Sequence, residues 1–224
     1  MVYYYKATIT SEEDLVETSR EYTIYMGKDK VENDPLIKYS HPKYLWFHVD
    51  NYSSAHVYLK IDDEDLNYKS FDDLQIDEAL LNVIGQLTKN NSIKGNKLPN
   101  VTVIYTPVQN LHTDGSMDIG TVTFKNNKMV KRVPIGKKQN HIINQLNKTK
   151  TEGSTEDFIA DQKALLVTLE KTRKLREKEE EQLQKLYQQQ KKAHDDPYGD
   201  FFGDEVNVNS NEFRNENWVE EEFW

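Results

Sequence analysis

Apolar and polar side chains alternate along three short segments in the first third of the chain, and this alternation predicts a sheet. Residues 22–29, YTIYMGKD, are rich in aromatic and β-branched side chains and predict a strand that ends at Gly27. Two further strands are predicted at about 44–50 and 56–61, and the segment NYSSA between them has the composition of a turn. We expect these two strands to pair as a hairpin.

The alternation sorts the side chains of this hairpin onto two faces. Pairing across residues 51–55 places residue 50 opposite 56, residue 48 opposite 58 and residue 46 opposite 60. One face is then apolar and requires a helix to cover it. The other face is mixed and consists of Trp46, His48, Asp50, His56, Tyr58 and Lys60.

The mixed face has four interpretations that the residues alone leave open. Two histidines and an aspartate are metal-ligand types, although no third neutral ligand is evident. His48 with Asp50 pairs a base with a carboxylate, although no nucleophile accompanies them. The face is alternatively a second core layer under another segment, or an exposed surface on which unpaired bases stack while lysine holds the phosphate.

Patterns further along the chain predict the remaining elements of the fold. Apolar residues three and four apart predict an amphipathic helix over about 74–88, capped by Asp72 or Asp73 and suited to the apolar face. A strand is predicted at 100–107, and a hairpin is predicted through Asn126-Asn127. The segment KQNHIINQLNKTK predicts a helix with Ile142, Ile143 and Leu146 on one side.

The composition changes at about residue 156. From there to 194 the chain contains no Gly or Pro, and Gln, Glu, Lys and Leu dominate, which predicts one long charged helix. A heptad seam can be drawn through it, but only half of the seam positions are apolar, so it forms at most a weak coiled coil. Pairs such as Arg173–Glu177 and Glu181–Lys185 favour a solvated helix.

These patterns divide the chain into three parts. We predict an α+β domain at 1–150, with a mostly antiparallel sheet packed against helices, the long charged helix at 151–194, and a tail at 195–224. The tail carries ten Asp and Glu residues and only Arg214 as a cation, and we expect it to be disordered. It also carries seven aromatic residues, and we interpret this pattern as a mimic of single-stranded nucleic acid that competes for the basic part of the domain or docks a basic partner.

The net charge of −9 conceals a strong segregation of charge. Residues 86–150 carry 11 Lys and Arg against 2 Asp and Glu, whereas residues 1–85 carry 8 against 17. Such a basic segment is typical of a surface that binds nucleic acid. Alternatively, the basic residues 86–150 and the acidic residues 1–85 neutralise each other across the fold.

Several classes of function are excluded or disfavoured by the composition. The chain has no cysteine, so disulfides, thiol catalysis and zinc-thiolate sites are excluded. The first residues lack the pattern of a signal peptide, and no apolar run reaches the length of a membrane span. We therefore expect a cytoplasmic protein, with access to the nucleus as an alternative, and no cofactor or metal.

Long ordered segments of the chain resemble the NFACT-R domain family, and in particular its small stand-alone members. The resemblance covers about residues 1–195 and rests on the segments YTIYMGKDKVENDPLI, LWFHVDNYSSAHVYL, NSIKGNKLPNVTVIYTPVQNL, MDIGTVTF and KKQNHIINQLNKTK. The segment SEEDLVETSRE is longer than is usual in that family. The family motif falls on Gly27, Lys28, Asn33, Asp34, Trp46, Phe47, His48, Ser54, His56, Gly95 and Gly120.

The resemblance implies an α+β domain without established enzymatic activity that binds nucleic acid. In larger relatives the domain belongs to factors that act on stalled large ribosomal subunits and bind tRNA. Those factors carry further domains that this sequence lacks, so their peptide-tailing activity is not carried over.

We therefore predict a non-catalytic RNA-binding module associated with tRNA or ribosomes. The alternatives are a protein-interaction adaptor that uses residues 156–224, and a DNA-binding protein that uses the same basic surface, because phosphate contacts do not distinguish the two polymers. The candidate binding residues are Lys28, Trp46, His48, His56, Tyr58, Lys60, Lys125, Lys128, Lys131, Arg132, Lys137 and Lys138.

Overall fold

A curled antiparallel sheet organises the first part of the chain. The computed structural model describes residues 1–13, 16–62, 70–114, 117–118 and 120–195. The strands are β1 (Val2–Glu13), β2 (Val16–Gly27), β3 (Leu45–Val49), β4 (Val57–Leu59), β5 (Val101–Pro107), β6 (Leu111–His112), β7 (Thr123–Phe124), β8 (Lys131–Ile135) and β9 (Thr151–Gly153). The helices are α1 (Asn33–Tyr39), α2 (Glu78–Asn90), α3 (Asn140–Lys148) and α4 (Thr155–Asp195).

Seven of the strands form one sheet in the order β8-β5-β3-β4-β2-β1-β9, and β6 pairs with β7 in a separate ribbon. Every pairing in the large sheet is antiparallel. The predicted fold class, an α+β domain with an antiparallel sheet, packed helices and a long C-terminal helix, is therefore confirmed. Residues 196–224 of the predicted tail lie outside the described residues, and Asp195 is the last residue of α4.

Helix α2 covers the apolar face of the sheet, as predicted. Leu80, Ile84 and Leu87 on α2 are buried, and Phe47 and Val49 on β3 are buried beneath the helical layer. The approach is close because a side chain at Gly85 would place its Cβ 2.3 Å from Cδ1 of Ile135 on β8. Burial of this apolar surface is the main source of stability for such a layer.

The mixed face of the sheet is also covered. Tyr58 on β4 stacks on Tyr25 of β2, with ring centroids 4.9 Å apart, and Tyr25 donates a hydrogen bond of 2.7 Å to Ser40 Oγ after α1. Phe158 in the first turn of α4 lies 5.3 Å from the Tyr25 ring. Segments distant in sequence therefore form a second core layer on this face.

The predicted register between β3 and β4 is wrong by two residues. Trp46 pairs with Tyr58, not with Lys60, and Phe47 pairs with Val57. The connection, residues 50–56, is longer than predicted, and in it Asn51 adopts a left-handed backbone conformation, φ 61°, while Ser54 Oγ accepts a 3.0 Å hydrogen bond from the Val49 amide. A shift of two residues preserves the faces, so the predicted sorting of side chains holds.

Two local predictions are corrected. The helix predicted from about residue 74 begins at Glu78, because the Asp77 carboxylate accepts from the Ala79 amide at 2.7 Å and caps it there. The hairpin predicted through Asn126-Asn127 does not form, since β7 pairs with β6 and β8 pairs with β5. Asn126 instead caps a short 3-10 turn, accepting from the Lys128 amide at 3.0 Å.

Helix α4 agrees with the prediction of a long charged helix. Arg173 and Glu177 form an ion pair of 3.4 Å, and Glu181 and Lys185 form one of 2.8 Å, as the spacing predicts. A first compact unit extends from Met1 to Thr168, and a second begins at Leu169. Within the part of the chain that the structure describes, no helix combines the length and the apolar character needed to cross a membrane.

Candidate nucleic-acid interface

A pocket of about 530 Å³ opens on the mixed face of the sheet, and we call it the histidine pocket. Its volume lies within the range of roughly 300–1,000 Å³ that is typical of sites for small ligands. Three backbone segments enclose it: residues 27–33 after β2, residues 53–56 before β4, and Gly120–Thr121. His48 and His56 also line it.

The wall formed by residues 27–33 is fixed by short polar contacts. Asp29 Oδ1 accepts from the Val31 amide at 3.0 Å and caps a short 3-10 turn. Gly120 donates its amide to Asp34 Oδ1 at 3.1 Å and adopts φ +73°, which favours glycine. A Cβ at Gly120 would lie 3.1 Å from Asn33 Nδ2, so only glycine closes this wall without displacement.

The opposite wall, residues 53–56, is held by a serine from the segment after α2. Ser92 Oγ donates to the Ser53 carbonyl at 2.7 Å and accepts from the Gly95 amide at 3.1 Å. A Cβ at Gly95 would lie 2.8 Å from Ser92 Oγ, so a larger residue would disturb this link. The wall is therefore preorganised by contacts that do not involve a ligand.

The two histidines lie in an aromatic cluster backed by Trp46. The rings of Trp46 and His48 are stacked, with centroids 5.4 Å apart and an interplanar angle of 3°. His56 meets Trp46 edge to face at 5.1 Å. His56 Nδ1 is buried and has no hydrogen-bond partner among the described residues, and the same holds for Trp46 Nε1.

Both imidazoles are neutral at physiological pH. Burial, with a smaller contribution from neighbouring His48, lowers the pKa of His56 to about 3. Burial also lowers the pKa of His48, opposed by its hydrogen bond to the Val49 backbone and by the Asp50 carboxylate. The histidine pocket therefore offers uncharged rings able to donate or accept one hydrogen bond each.

Many of the residues that the family resemblance marks meet at this pocket. Of the eleven motif positions, seven line it: Gly27, Lys28, Asn33, His48, Ser54, His56 and Gly120. Of the other four, Trp46 backs the histidines, Asp34 holds Gly120, Gly95 holds Ser92, and Phe47 lies on the opposite face against Tyr105. Apart from Phe47, the motif thus describes one site and its supports.

A basic surface lies at the edge of the sheet, along β8 and its two flanking turns. We call it the basic edge, and it consists of Lys125, Lys128, Lys131, Arg132, Lys137 and Lys138. Lys131 Nζ lies 3.6 Å from Asp72, and Arg132 Nε lies 3.7 Å from Asp50. The other four are exposed, and none of them forms an ion pair with another described residue. Lys125 Nζ donates to the Gln109 carbonyl at 2.8 Å, and no described carboxylate neutralises the charge of these four lysines.

The turn that carries Lys137 and Lys138 is fixed from α2. Gln86 Nε2 donates to the Lys137 carbonyl at 3.1 Å, and Gln86 Oε1 accepts from the Gln139 amide at 3.0 Å. Lys89 is fully buried and donates from Nζ to the Gly136 carbonyl at 2.5 Å and to Pro99 at 3.1 Å. Desolvation lowers the pKa of Lys89.

Asn110 fixes the other flanking turn. Its Nδ2 donates to the Asn126 carbonyl at 2.9 Å, and its Oδ1 accepts from the Asn126 amide at 2.8 Å. Its backbone carbonyl accepts from the Lys125 amide at 2.9 Å. Both cationic turns are therefore held rigidly by buried amide side chains.

Arg132 of the basic edge shares a face of the sheet with the histidine pocket, whereas Lys131 lies on the face that α2 covers. His48 on β3 pairs with Ile104 on β5, which pairs with Arg132 on β8. Paired residues point to the same face, and strands lie about 4.8 Å apart, so Arg132 and His48 are separated by about 10 Å across the sheet. One extended ligand can contact both.

The structure separates the predicted site residues into three groups. Lys28, His48 and His56 meet at the histidine pocket, and the six cations of the basic edge lie together along β8. Lys60 is exposed but lines a different cleft, with Asp62 and Asp77. Trp46 and Tyr58 are 1% and 0% exposed, so neither presents an open ring face to a base in this structure.

Among the four interpretations of the mixed face, burial supports a second core layer at Trp46 and Tyr58. Within the described ranges no group of three or more His, Asp or Glu is placed to hold a metal ion. The partly exposed His48 and the more deeply buried His56 both line the pocket, so these are the predicted rings on this face that a ligand in the pocket would meet.

Sequence reasoning missed the supporting residues. Gln86 and Lys89 are polar positions that interrupt the apolar stripe of α2, and this interruption is a signal for buried polar contacts. Lys30 lies two residues after Lys28, with Asp29 between them. This spacing could have indicated Lys30 as a second cation of the pocket. No local signal marks Asn110 as a support of this turn, because its partner there, Asn126, is sixteen residues away.

Comparison with known proteins identifies the family. Residues 1–126 match the family model of the NFACT protein RNA binding domain. Coiled-coil domain-containing protein 25 of Danio rerio is 45% identical over 152 residues, which cover 68% of this chain and 67% of that protein. Protein JLP2 of Saccharomyces cerevisiae is 43% identical over 154 residues, which cover 68% of this chain and 69% of that protein.

A solved structure, the C-terminal part of the fibronectin/fibrinogen-binding protein from Streptococcus suis, is more distantly similar. It is 20% identical, with a TM-score of 0.45, and the match covers 58% of this chain and 45% of that one. The family model and the two relatives are sufficient to assign the family without this structure. The chain belongs to the family of the NFACT protein RNA binding domain, as the resemblance predicts, and this membership supports a nucleic-acid-binding role.

Proposed function

We propose that this protein is a non-catalytic RNA-binding module whose main phosphate-binding surface is the basic edge. The observation that carries the proposal is the presence of four exposed cations, free of ion pairs among the described residues, on two turns held by Gln86, Lys89 and Asn110. Because the backbone of both turns is already ordered, less conformational entropy is lost when their lysines bind phosphate. Family membership supports RNA as the polymer.

We further propose that the RNA belongs to the translation machinery, as tRNA or as rRNA on ribosomes. The support is the family resemblance, since larger members act on stalled large ribosomal subunits. DNA is the alternative ligand for the same surface. Binding of single-stranded DNA more tightly than RNA of the same sequence would reject the RNA proposal.

The test is a salt series with a short single-stranded RNA and the full chain. We expect log K to fall linearly with log salt, because phosphate neutralisation releases counterions. The variant Lys137→Glu/Lys138→Glu changes only exposed side chains, whereas reversal at Lys131 or Arg132 would also break ion pairs. The double variant should reduce the slope by about 1.4, at about 0.7 per phosphate contact.

The matched control is Lys171→Glu/Lys178→Glu, which makes the same charge change at exposed positions of α4. It should bind RNA with the unchanged slope. Equal loss in the two variants would show a general effect of net charge and would reject the basic edge as the binding surface.

A second candidate function, protein interaction through α4, is favoured by an exposed apolar stripe. Leu183, Leu186 and Tyr187 lie three and four residues apart and are 67%, 52% and 68% exposed. Such a stripe suits a partner helix. Loss of binding partners after Leu183→Ser/Leu186→Ser, with RNA affinity unchanged, would support this second role.

A further inference from the structure

The histidine pocket contains a polar atom that the fold does not use. His56 is 4% exposed, lines the pocket, and its Nδ1 has no hydrogen-bond partner among the described residues. A buried polar group without a partner costs free energy, and phenylalanine would fill the same space without that cost. A ligand that supplies the missing hydrogen bond accounts for a histidine at this position.

We propose that the histidine pocket binds one unpaired nucleotide of a single-stranded RNA, with its base against His48 and His56 and its phosphate at Lys28 and Lys30. This inference rests on the RNA-binding function proposed above and names the ligand of a site beside the basic edge.

The floor of the pocket suits a base better than a phosphate. Its imidazoles are neutral, and Trp46 and His48 already form a parallel stack, with an interplanar angle of 3°. A base presents a planar surface for stacking and an edge of donors and acceptors that can satisfy His56 Nδ1. A buried phosphate would instead require a cation at the floor.

The rim suits the phosphate. Lys28 and Lys30 are both exposed and line the pocket on the same turn. The carboxylate of Asp29 between them accepts from the Val31 amide, so it is directed at the backbone. The rim therefore presents two cations above a neutral aromatic floor, a pattern that single-stranded nucleic-acid sites share.

The position of the pocket fits a continuous path for RNA. His48, Ile104 and Arg132 follow one another on a single face of three neighbouring strands. An RNA strand held by a phosphate at Arg132 can therefore extend across about 10 Å of sheet and place an unpaired base in the pocket.

The first experiment uses His56→Phe in the full chain. Phenylalanine keeps an aromatic ring against Trp46 and removes Nδ1, so the fold should be retained or stabilised, which thermal unfolding will show. We expect RNA affinity to fall about tenfold at every salt concentration with an unchanged slope, because a lost base contact involves no phosphate. Full RNA affinity in a folded His56→Phe protein would overturn the proposal.

A second variant, Lys28→Glu/Lys30→Glu, changes only exposed side chains and keeps the proposal testable if His56→Phe fails to fold. It should lower both the affinity and the slope. Lys97→Glu/Lys171→Glu is the control of equal charge, since both lysines are exposed and lie outside the pocket. Equal effects of the two variants would overturn the assignment of the rim.

Nuclear magnetic resonance of the Trp46 indole N–H tests whether the pocket takes a nucleotide of RNA or a free nucleotide. The signal is assigned with Trp218→Phe and Trp224→Phe variants. Single-stranded RNA should shift this signal in the wild type and leave it unmoved in His56→Phe. A shift at lower concentrations of ribonucleoside monophosphates than of RNA would identify a free-nucleotide site and overturn the RNA assignment.

The outcomes separate this inference from the proposed function. If RNA binding depends on Lys137 and Lys138 but is unaffected by changes at Lys28, Lys30 and His56, the function stands and the pocket inference fails. If RNA does not bind the wild type, the proposed function itself fails.

Discussion

The imidazole rings of His48 and His56 meet edge to face, with centroids 5.4 Å apart and an interplanar angle of 87°. The two rings come from either side of the turn between β3 and β4, which Ser54 and Ser92 hold in place. A protonated His56 would be both buried and next to a second imidazole, so protonation is strongly opposed. The packing of His48 against His56 in the pocket therefore makes the stability of the fold depend on pH.

Stability should decrease as the pH falls below about 6.5. The pKa of His56 is about 3 in the folded protein, whereas a histidine in the unfolded chain titrates near 6.5, so between these values the unfolded state binds more protons. The free energy of unfolding should fall by about 2 kcal/mol between pH 7 and pH 5 from this group. His48, whose pKa is also lowered, adds a loss of the same sign.

Urea denaturation at the two pH values measures this loss. His56→Phe should remove most of it, whereas His141→Gln, at an exposed position of α3, should keep it. Identical pH dependence in the wild type and His56→Phe would show that His56 is not the titrating group.

Replacement of Gln86 should weaken RNA binding without touching a cation. Gln86→Leu leaves the Lys137 carbonyl and the Gln139 amide without their partner, which should cost about 1–3 kcal/mol of stability. The turn would lose its fixed geometry, so RNA affinity should fall in the folded variant. Gln145→Leu, at an exposed position of α3, is the control, and equal RNA affinity in the two variants would contradict the role of Gln86.

The segment 156–194 should be monomeric in isolation. Its ion pairs at Arg173–Glu177, Glu170–Lys174 and Glu181–Lys185 are contacts within one helix, and the predicted seam is polar in its centre. Sedimentation at micromolar concentration measures the association state. A stable dimer would instead indicate a coiled coil built on Leu183 and Leu186.

Deletion of residues 195–224 should raise RNA affinity at low salt. Residues 196–224 lie outside the described residues, and the expectation follows from the acidic and aromatic composition of the tail. Competition through a flexible tether is weak and screened by salt, so the gain should vanish at high salt. Superimposable binding curves for the full and truncated chains at every salt concentration would eliminate competition by the tail.

The sorting of side chains in the sheet could be predicted because it depends only on local alternation. Phe47 and Val49 face α2, and Trp46, His48 and Tyr58 face the other way, as the sequence indicates. The register between β3 and β4 could not be predicted from alternation, because it depends on the conformation of Asn51 and on the hydrogen bond between Val49 and Ser54. Neither contact has a distinctive local signature.

The burial of the mixed face could not be predicted from its own strands. Trp46 is covered by Phe124, with ring centroids 5.8 Å apart, and Tyr25 beside Tyr58 is covered by Phe158. These partners lie far along the chain, and alternation within β3 says nothing about them. For the same reason, the convergence of Lys28, Asn33, His56 and Gly120 on one pocket follows only from the fold.

The most direct test of an RNA path from the basic edge to the histidine pocket is ultraviolet crosslinking of single-stranded RNA to the full chain, with the crosslinked residues mapped by mass spectrometry. We predict crosslinks in two clusters, one within 125–138 and one at 28–30 or 48–56, and loss of the second cluster in His56→Phe. Crosslinks confined to α4, or an unchanged second cluster in His56→Phe, would contradict this account.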